Sequence, residues 1–180
     1  MSTTALETQL PAGTWTVDPS HTEVGFVARH LMVSKVRGYF KDVTGTVEVA
    51  EDITKSVVDV TAQIASVETG SADRDGHLKS ADFFDAENFP VMTFKSTAFD
   101  GETLTGDLTI KDVTKPVTFD VDFGGVGQDP WGNTKAGFEA TATVNRKDWG
   151  LTWNAAVEGG GVLVSDKITI NIDVQLAKQA

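Results

Sequence analysis

The residues able to do chemistry in this chain are few. There are three histidines, His21, His30 and His77, and no cysteine. The lack of cysteine removes disulfides, thiolate nucleophiles and zinc-thiolate sites together. A metal centre would need histidines to converge with a carboxylate such as Asp75, and no HExxH or similar ligand spacing is present, so no metal site is expected. Arg74, Asp75 and His77 stand close in sequence, and an imidazole titrating near neutrality beside a carboxylate could move a proton. The competing reading is a helix start whose charges pin it to neighbouring loops. No serine sits in a GxSxG elbow, and neither a P-loop nor a GxGxxG occurs. Gly159-Gly160-Gly161 lacks the lysine and the helix of a phosphate cradle and reads as a flexible loop. No catalytic residue and no cofactor is therefore expected.

The element that must position Arg74 and His77 is the stretch Thr69 to Pro90, TGSADRDGHLKSADFFDAENFP, where the pattern changes from strand to helix. Ser71 can cap a first turn, Asp73 and Asp75 suit the positive end of a helix, and Lys79 suits the other end. Ser80 or Asp82 can cap a second short helix carrying Phe83, Phe84 and Phe89, which Pro90 ends. Three phenylalanines on so short a segment require an apolar surface beneath them. The stretch reads as a helical plug or lid over a sheet or a barrel mouth.

The rest of the chain alternates with period two. Val24, Phe26, Ala28 and His30 share one parity, and so do Val36, Gly38 and Phe40. Val43, Gly45, Val47 and Val49 continue on the other parity, which implies a bulge near Asp42. Further inward rows are Val58 to Ile64, Met92 to Ala98, Leu104 to Ile110, Val117 to Phe123, Ala136 to Val144 and Ile168 to Leu176. Asp100-Gly101 reads as a hairpin turn, Asp112 to Lys115 as the next turn, and Gly124 to Gly132 as a loop. Arg146 to Trp149 close a strand at a rim. Residues 1 to 13 read as a flexible arm, and 14 to 180 as a single domain.

Eight or so strands with short connections argue for an all-β antiparallel meander, closed as a barrel or split into a sandwich. Several inward positions are small, namely Gly38, Gly45, Ala62, Gly106, Ala140 and Ala142. Alternation alone leaves a filled and a hollow barrel equally open. The net charge of -11 argues against tracking nucleic-acid phosphates, or binding an anionic membrane face by charge alone. The N-terminus has neither a basic start nor an apolar run, so no signal peptide is expected and the cytoplasm is the default location. No segment is long and apolar enough to serve as an integral membrane helix.

Four blocks, WTVDPSHTEVGFVARHLMVSKVRGYF from Trp15, SVETGSADRDGHLKSADFFDAENFPVMTFKST from Ser66, GDLTIKDVTKPV from Gly106 and NRKDWG from Asn145, resemble the YceI-like, polyisoprenoid-binding family. The resemblance implies an elongated, eight-stranded, lipocalin-like barrel with a helical insertion, about residues 71 to 88, near one end. It implies a hollow interior holding an isoprenoid or other long amphiphilic lipid, such as a quinone or polyprenyl phosphate, for sequestration or transport without catalysis. Phe26, Phe40, Phe94 and Phe138 on the inward rows, Phe83 and Phe84 above them and Trp149 at the rim are then expected to line the apolar cavity. His30 is expected to mark its polar end. An enzyme acting on such a lipid through His30, Arg74, Asp75 and His77, and a filled barrel serving as an interaction module, are the alternatives. A homodimer stays open. The chain departs from the family's pattern in three places. The signal peptide that many periplasmic members carry is not expected here, Lys111-Asp112 stands where His-Gly is frequent, and Trp149 replaces phenylalanine.

Overall fold

The computed structural model describes Leu6 and residues 9–155 and 163–180; the Gly159-Gly160-Gly161 loop lies outside the described residues. The strands are β1 (Gly13–Val17), β2 (Glu23–His30), β3 (Ser34–Phe40), β4 (Val43–Val49), β5 (Val57–Gln63), β6 (Val67–Glu68), β7 (Val91–Phe99), β8 (Thr103–Ile110), β9 (Val113–Gln128), β10 (Thr134–Asn145) and β11 (Lys167–Lys178). They merge into a closed antiparallel barrel of 8 staves. β11 pairs with β10 along one edge, and along the other with β2 at Thr169–Asp173 and with β1 at Leu176–Lys178. β1 and β2 are thus one stave interrupted by the 3-10 turn Pro19–His21. β3 and β4 are one stave broken at Lys41–Asp42, where the change of parity implied a bulge, and β5 and β6 are one stave broken at Ile64–Ser66.

Closure follows from the inward rows. β11 directs Ile168, Ile170, Ile172, Val174 and Leu176 into the barrel, and facing rows from β10 and β2 do the same, so apolar side chains meet inside while Thr and Asp face water. At the upper end lie the β2–β3 hairpin, the Thr69–Pro90 insertion, the β8–β9 hairpin and the segment after β10. The lower end is closed by a cluster that includes Leu6, Leu10, Trp15, Ile53, Phe123 and Leu176. Leu6 is fully buried, and the Trp15 Nε1–H donates to the Pro11 carbonyl at 3.0 Å. The expected loose arm is therefore packed where it is described, because the open lower end offers its leucines an apolar surface.

Four local expectations need correction. Ser71 does cap the helix Ala72–Lys79, accepting from the Arg74 N–H at 3.3 Å, but no second helix follows. Residues 80 to 88 form successive turns, with Asp85 at φ 51°, because adjacent Phe83 and Phe84 must both face inward and a helix would separate them by about 100°. In β7 the register shifts between Ser96 and Ala98, as Ser96 Oγ accepts the Val58 N–H at 2.8 Å; Phe99 rather than Ala98 then faces inward. The turn after β8 is Lys111–Asp112, both left-handed, and β9 resumes at Val113. β9 also runs on to Gln128 through an irregularity at Gly124, so the loop shrinks to about Asp129–Asn133.

The small inward residues are partly filled by neighbours. A Cβ on Gly38 would stand 2.4 Å from the Phe26 ring, and one on Gly106 would stand 2.4 Å from the Phe94 ring and 2.6 Å from the Lys95 carbonyl. Each ring lies across a cross-strand glycine, an arrangement that only a missing side chain permits.

The break between β1 and β2 is tied down by Asp18. Its carboxylate accepts from Lys135 Nζ at 3.0 Å, from Ser20 and from His21, and is largely buried. Lys135 is the main cause that holds the Asp18 carboxyl well below the usual carboxylate range. A depressed folded-state value stabilises the fold fully above the unfolded carboxylate value, about 3.9, and the contribution is lost as pH falls toward the folded value. We expect Asp18→Asn to destabilise the protein at neutral pH and the difference from wild type to shrink below about pH 4, as read by urea unfolding across pH. Gly106→Ala should cost roughly 1–3 kcal/mol in the same measurement, because backbone as well as ring must move. Gly76→Ala, in the insertion helix with open space around it, should be neutral or stabilising by up to about 1 kcal/mol.

Candidate functional site

The barrel is not filled. A cavity of about 490 Å³ runs along its axis, from Leu10, Ile53 and Leu176 at the lower end to Arg74, His77 and Leu163 at the upper. That is about three times the volume of the ~150 Å³ apolar cavity that accepts a benzene ring, and within the roughly 300–1,000 Å³ of ligand pockets. Phe26, Phe40, Phe83, Phe84, Phe94, Phe138, Trp149 and His30 all line it. Each arrives by a simple device. Phe26 and Phe40 come from the inward faces of paired β2 and β3, with ring centroids 5.8 Å apart. Phe84 meets Phe40 edge-on at 5.8 Å, so the insertion is seated by aromatic contact on β3. Phe94 stands edge-on to Phe119 at 5.3 Å, and Phe138 lies 5.1 Å from Phe123 toward the lower end. Trp149 is 2% exposed, and its Nε1–H donates to the Leu108 carbonyl at 2.9 Å, a bond that a phenylalanine there could not make.

The polar lining gathers mainly at the upper end. Arg146 is buried, and its guanidinium donates to the carbonyls of Ser165 at 2.9 Å, Leu151 at 2.7 Å and Trp153 at 2.8 Å, fastening the segment after β10 over the barrel. Burial pushes its pKa down and Asp166 pushes it back up. Arg74 donates to the Thr69 hydroxyl at 2.8 Å and the Thr69 carbonyl at 2.6 Å, while Asp75 accepts from the Thr69 N–H at 2.8 Å. These two charges hold the start of the insertion helix. The His77 ring forms a triangle with those of Phe83 and Trp153, at 5.0 and 4.6 Å from them, and shares a hydrogen bond of 2.9 Å with Asp82. Arg29 and His30 differ. Their side chains are exposed at the mouth and make no hydrogen bond or ion pair among the described residues. None of the described lining residues is Asp or Glu, although the chain carries 26 of them.

The geometry suits solvation of an apolar chain, with cationic and titratable groups where a head group would emerge. It does not assemble the four polar candidates into one acid/base centre, since Arg74 and Asp75 are engaged by Thr69 and His77 by Asp82. Among the described residues no cluster of three or more potential metal ligands occurs. No helix among them is long and apolar enough to cross a membrane. Sequence reasoning missed Arg29 and Phe99 in the lining. Arg29 has outward parity but reaches the rim at the end of its strand, and Phe99 faces inward only through the β7 irregularity.

The UPF0312 protein SA2479 of Staphylococcus aureus is 38% identical over 167 residues, covering 91% of this chain and 96% of the relative. The crystal structure of the Campylobacter jejuni YCEI protein is similar with a TM-score of 0.71 at 34% identity, covering 84% of this chain and 90% of that one. A polyisoprenoid binding domain from Saccharophagus degradans, implicated in plant cell wall breakdown, shares the fold at a TM-score of 0.69 with 12% identity over 92% and 98% of the two chains. The YceI-like domain matches residues 15–176, and with the closed barrel, its helical insertion and its axial cavity, the chain belongs to the YceI-like family.

Proposed function

We propose that the protein binds an isoprenoid-type amphiphilic lipid in its barrel and carries or sequesters it without changing it. The observation that carries this reading is the axial cavity, walled by the inward rows and the insertion's phenylalanines and lacking any described carboxylate. Removing an apolar tail from water contributes about 25 cal/mol per Å² buried, which for several isoprene units amounts to several kcal/mol after the cost of immobilisation. A catalytic group adds nothing to that balance. At the upper end, the Arg29 guanidinium and His30 imidazole, unpaired among the described residues, favour a phosphate-bearing head group over an uncharged quinone, because an anion there gains charge-assisted hydrogen bonds. The polyisoprenoid-binding neighbour supports the same ligand class.

A second reading, an enzyme acting on the same lipid, draws on one contact, the hydrogen bond between His77 and Asp82 beside the cavity. Binding of prenyl phosphates of increasing chain length to wild type, Phe84→Ala and His77→Ala separates the two. The carrier reading expects Phe84→Ala to lose roughly 10- to 100-fold in affinity, as large-to-small changes in apolar sites do, and to lose more for longer chains. His77→Ala should lose less, and mass spectrometry should recover the lipid unchanged from wild type. A chemically altered lipid whose formation requires His77 would establish the enzyme instead. For the head group, His30→Phe should narrow the preference for phosphate over alcohol without altering thermal stability; equal binding of every head group would reduce His30 to a structural residue.

A further inference from the structure

The β2–β3 hairpin at the cavity mouth exposes a tip built against local rules. Leu31, Met32 and Val33 are 41%, 60% and 81% exposed. The turn is closed by the Val33 N–H donating to the His30 carbonyl at 3.0 Å, and its two central residues, Leu31 at φ 56° and Met32 at φ 55°, are both left-handed. Such a turn favours Asn-Gly, and bulky apolar residues pay a steric penalty at both positions. The β8–β9 turn at the same end shows that the fold does not require apolar residues, because Lys111 and Asp112 occupy the same two left-handed positions there. Strain combined with apolar exposure is retained where an external contact uses it.

The charge around this tip identifies the contact. From Val24 to Lys41 the chain has no Asp or Glu, although its net charge is -11. Arg29, Lys35 and Arg37 flank the tip, are exposed, and form no ion pair among the described residues. We propose that the hairpin is a membrane-docking element: Leu31, Met32 and Val33 enter the interfacial layer of an anionic bilayer while Arg29, Lys35 and Arg37 meet its phosphates. The cavity mouth, with His30 at its rim, is thereby set against the bilayer. Apolar residues flanked by cations are the combination that binds such an interface. The insertion's Asp73, Asp82, Asp85 and Glu87 lie at the same end and oppose the attraction, so docking requires the apolar tip and the cations together. Trp131, 83% exposed in the loop at the opposite end, sits beside Asp129 and lacks that basic surround.

The purpose of docking rests on the lipid-carrier reading, but its test does not. Co-sedimentation with vesicles of phosphatidylcholine alone, and of phosphatidylcholine mixed with phosphatidylglycerol, should show partition to the anionic vesicles only, weakened by salt. Leu31→Asn with Met32→Gly gives the turn its favoured residues. That variant should be at least as heat-stable as wild type yet partition on the order of tenfold less, as should Lys35→Glu with Arg37→Glu. Trp131→Ser should partition like wild type. The proposal is overturned if wild type ignores anionic vesicles, if the Asn-Gly turn leaves partition unchanged, if Trp131→Ser abolishes it, or if the tip variant instead converts a dimer to a monomer, which would make a second copy the occupant. Binding of a water-soluble short prenyl phosphate, measured in parallel, keeps the two readings apart. A failure of docking leaves that affinity intact, whereas a failure of the carrier reading removes it whatever the vesicles show.

Discussion

Each stave of this barrel has to satisfy its backbone N–H and C=O groups on two edges, and β11 is where that requirement is met. It accepts β10 on one side and β1 together with β2 on the other, so the sheet returns on itself, and a stretch where strands do not pair, between β3–β6 and β7, is where the Thr69–Pro90 insertion lies. Once the sheet is closed, every inward row faces every other across a fixed distance. Whether the interior is solid or hollow then depends on side-chain size alone. With the backbone satisfied internally, the inner surface can be almost wholly apolar without a buried polar cost.

The hollow interior results from where the large residues are allowed to lie. Phe26 and Phe94 fold across glycines on neighbouring strands and flatten against the wall, which keeps their rings from meeting at the axis. The lower end is the reverse case. There Leu6, Leu10, Trp15 and Ile53 interlock and shut the barrel, while the upper end is covered by irregular chain held by individual bonds, those of Arg146 to carbonyls and of Arg74 and Asp75 to Thr69. The two ends therefore differ in kind, one closed by a packed core and the other by polar fastenings around a cationic rim.

Much of this was legible in the sequence. Strict alternation along β9, β10 and β11 identifies staves and their inward faces, and parity puts Phe26, Phe40, Phe94 and Phe138 on the inward rows that line the cavity. The resemblance of four blocks to a known family supplied the hollow interior, which alternation could not, because tiling of rings over Gly38 and Gly106 depends on cross-strand register. The irregularity at Ser96 was illegible for a different reason. A hydroxyl that takes a ladder hydrogen bond leaves no trace in hydropathy, so Phe99 was missed. The turn at Leu31–Met32 carries none of the residues that announce such turns, whereas Asp112 announced the next one and only its bounds, Lys111–Asp112 instead of Asp112 to Lys115, were misplaced. The second helix expected over Ser80 to Phe89 gives way because packing of two adjacent phenylalanines outweighs local propensity.

The interrupted staves all belong to the first part of the chain, β1 to β6, whereas β7 to β11 run without a break between elements. The barrel thus sets long staves, with register shifts at Ser96–Ala98 and Gly124, against a jointed half whose three joints, at Asp18–Thr22, Lys41–Asp42 and Ile64–Ser66, interrupt the hydrogen-bonded rows. Deformation concentrates where ladders are interrupted and fewer backbone bonds must break together. A guest of changing girth would be accommodated first by bending at those three joints, while the longer staves opposite them would change least.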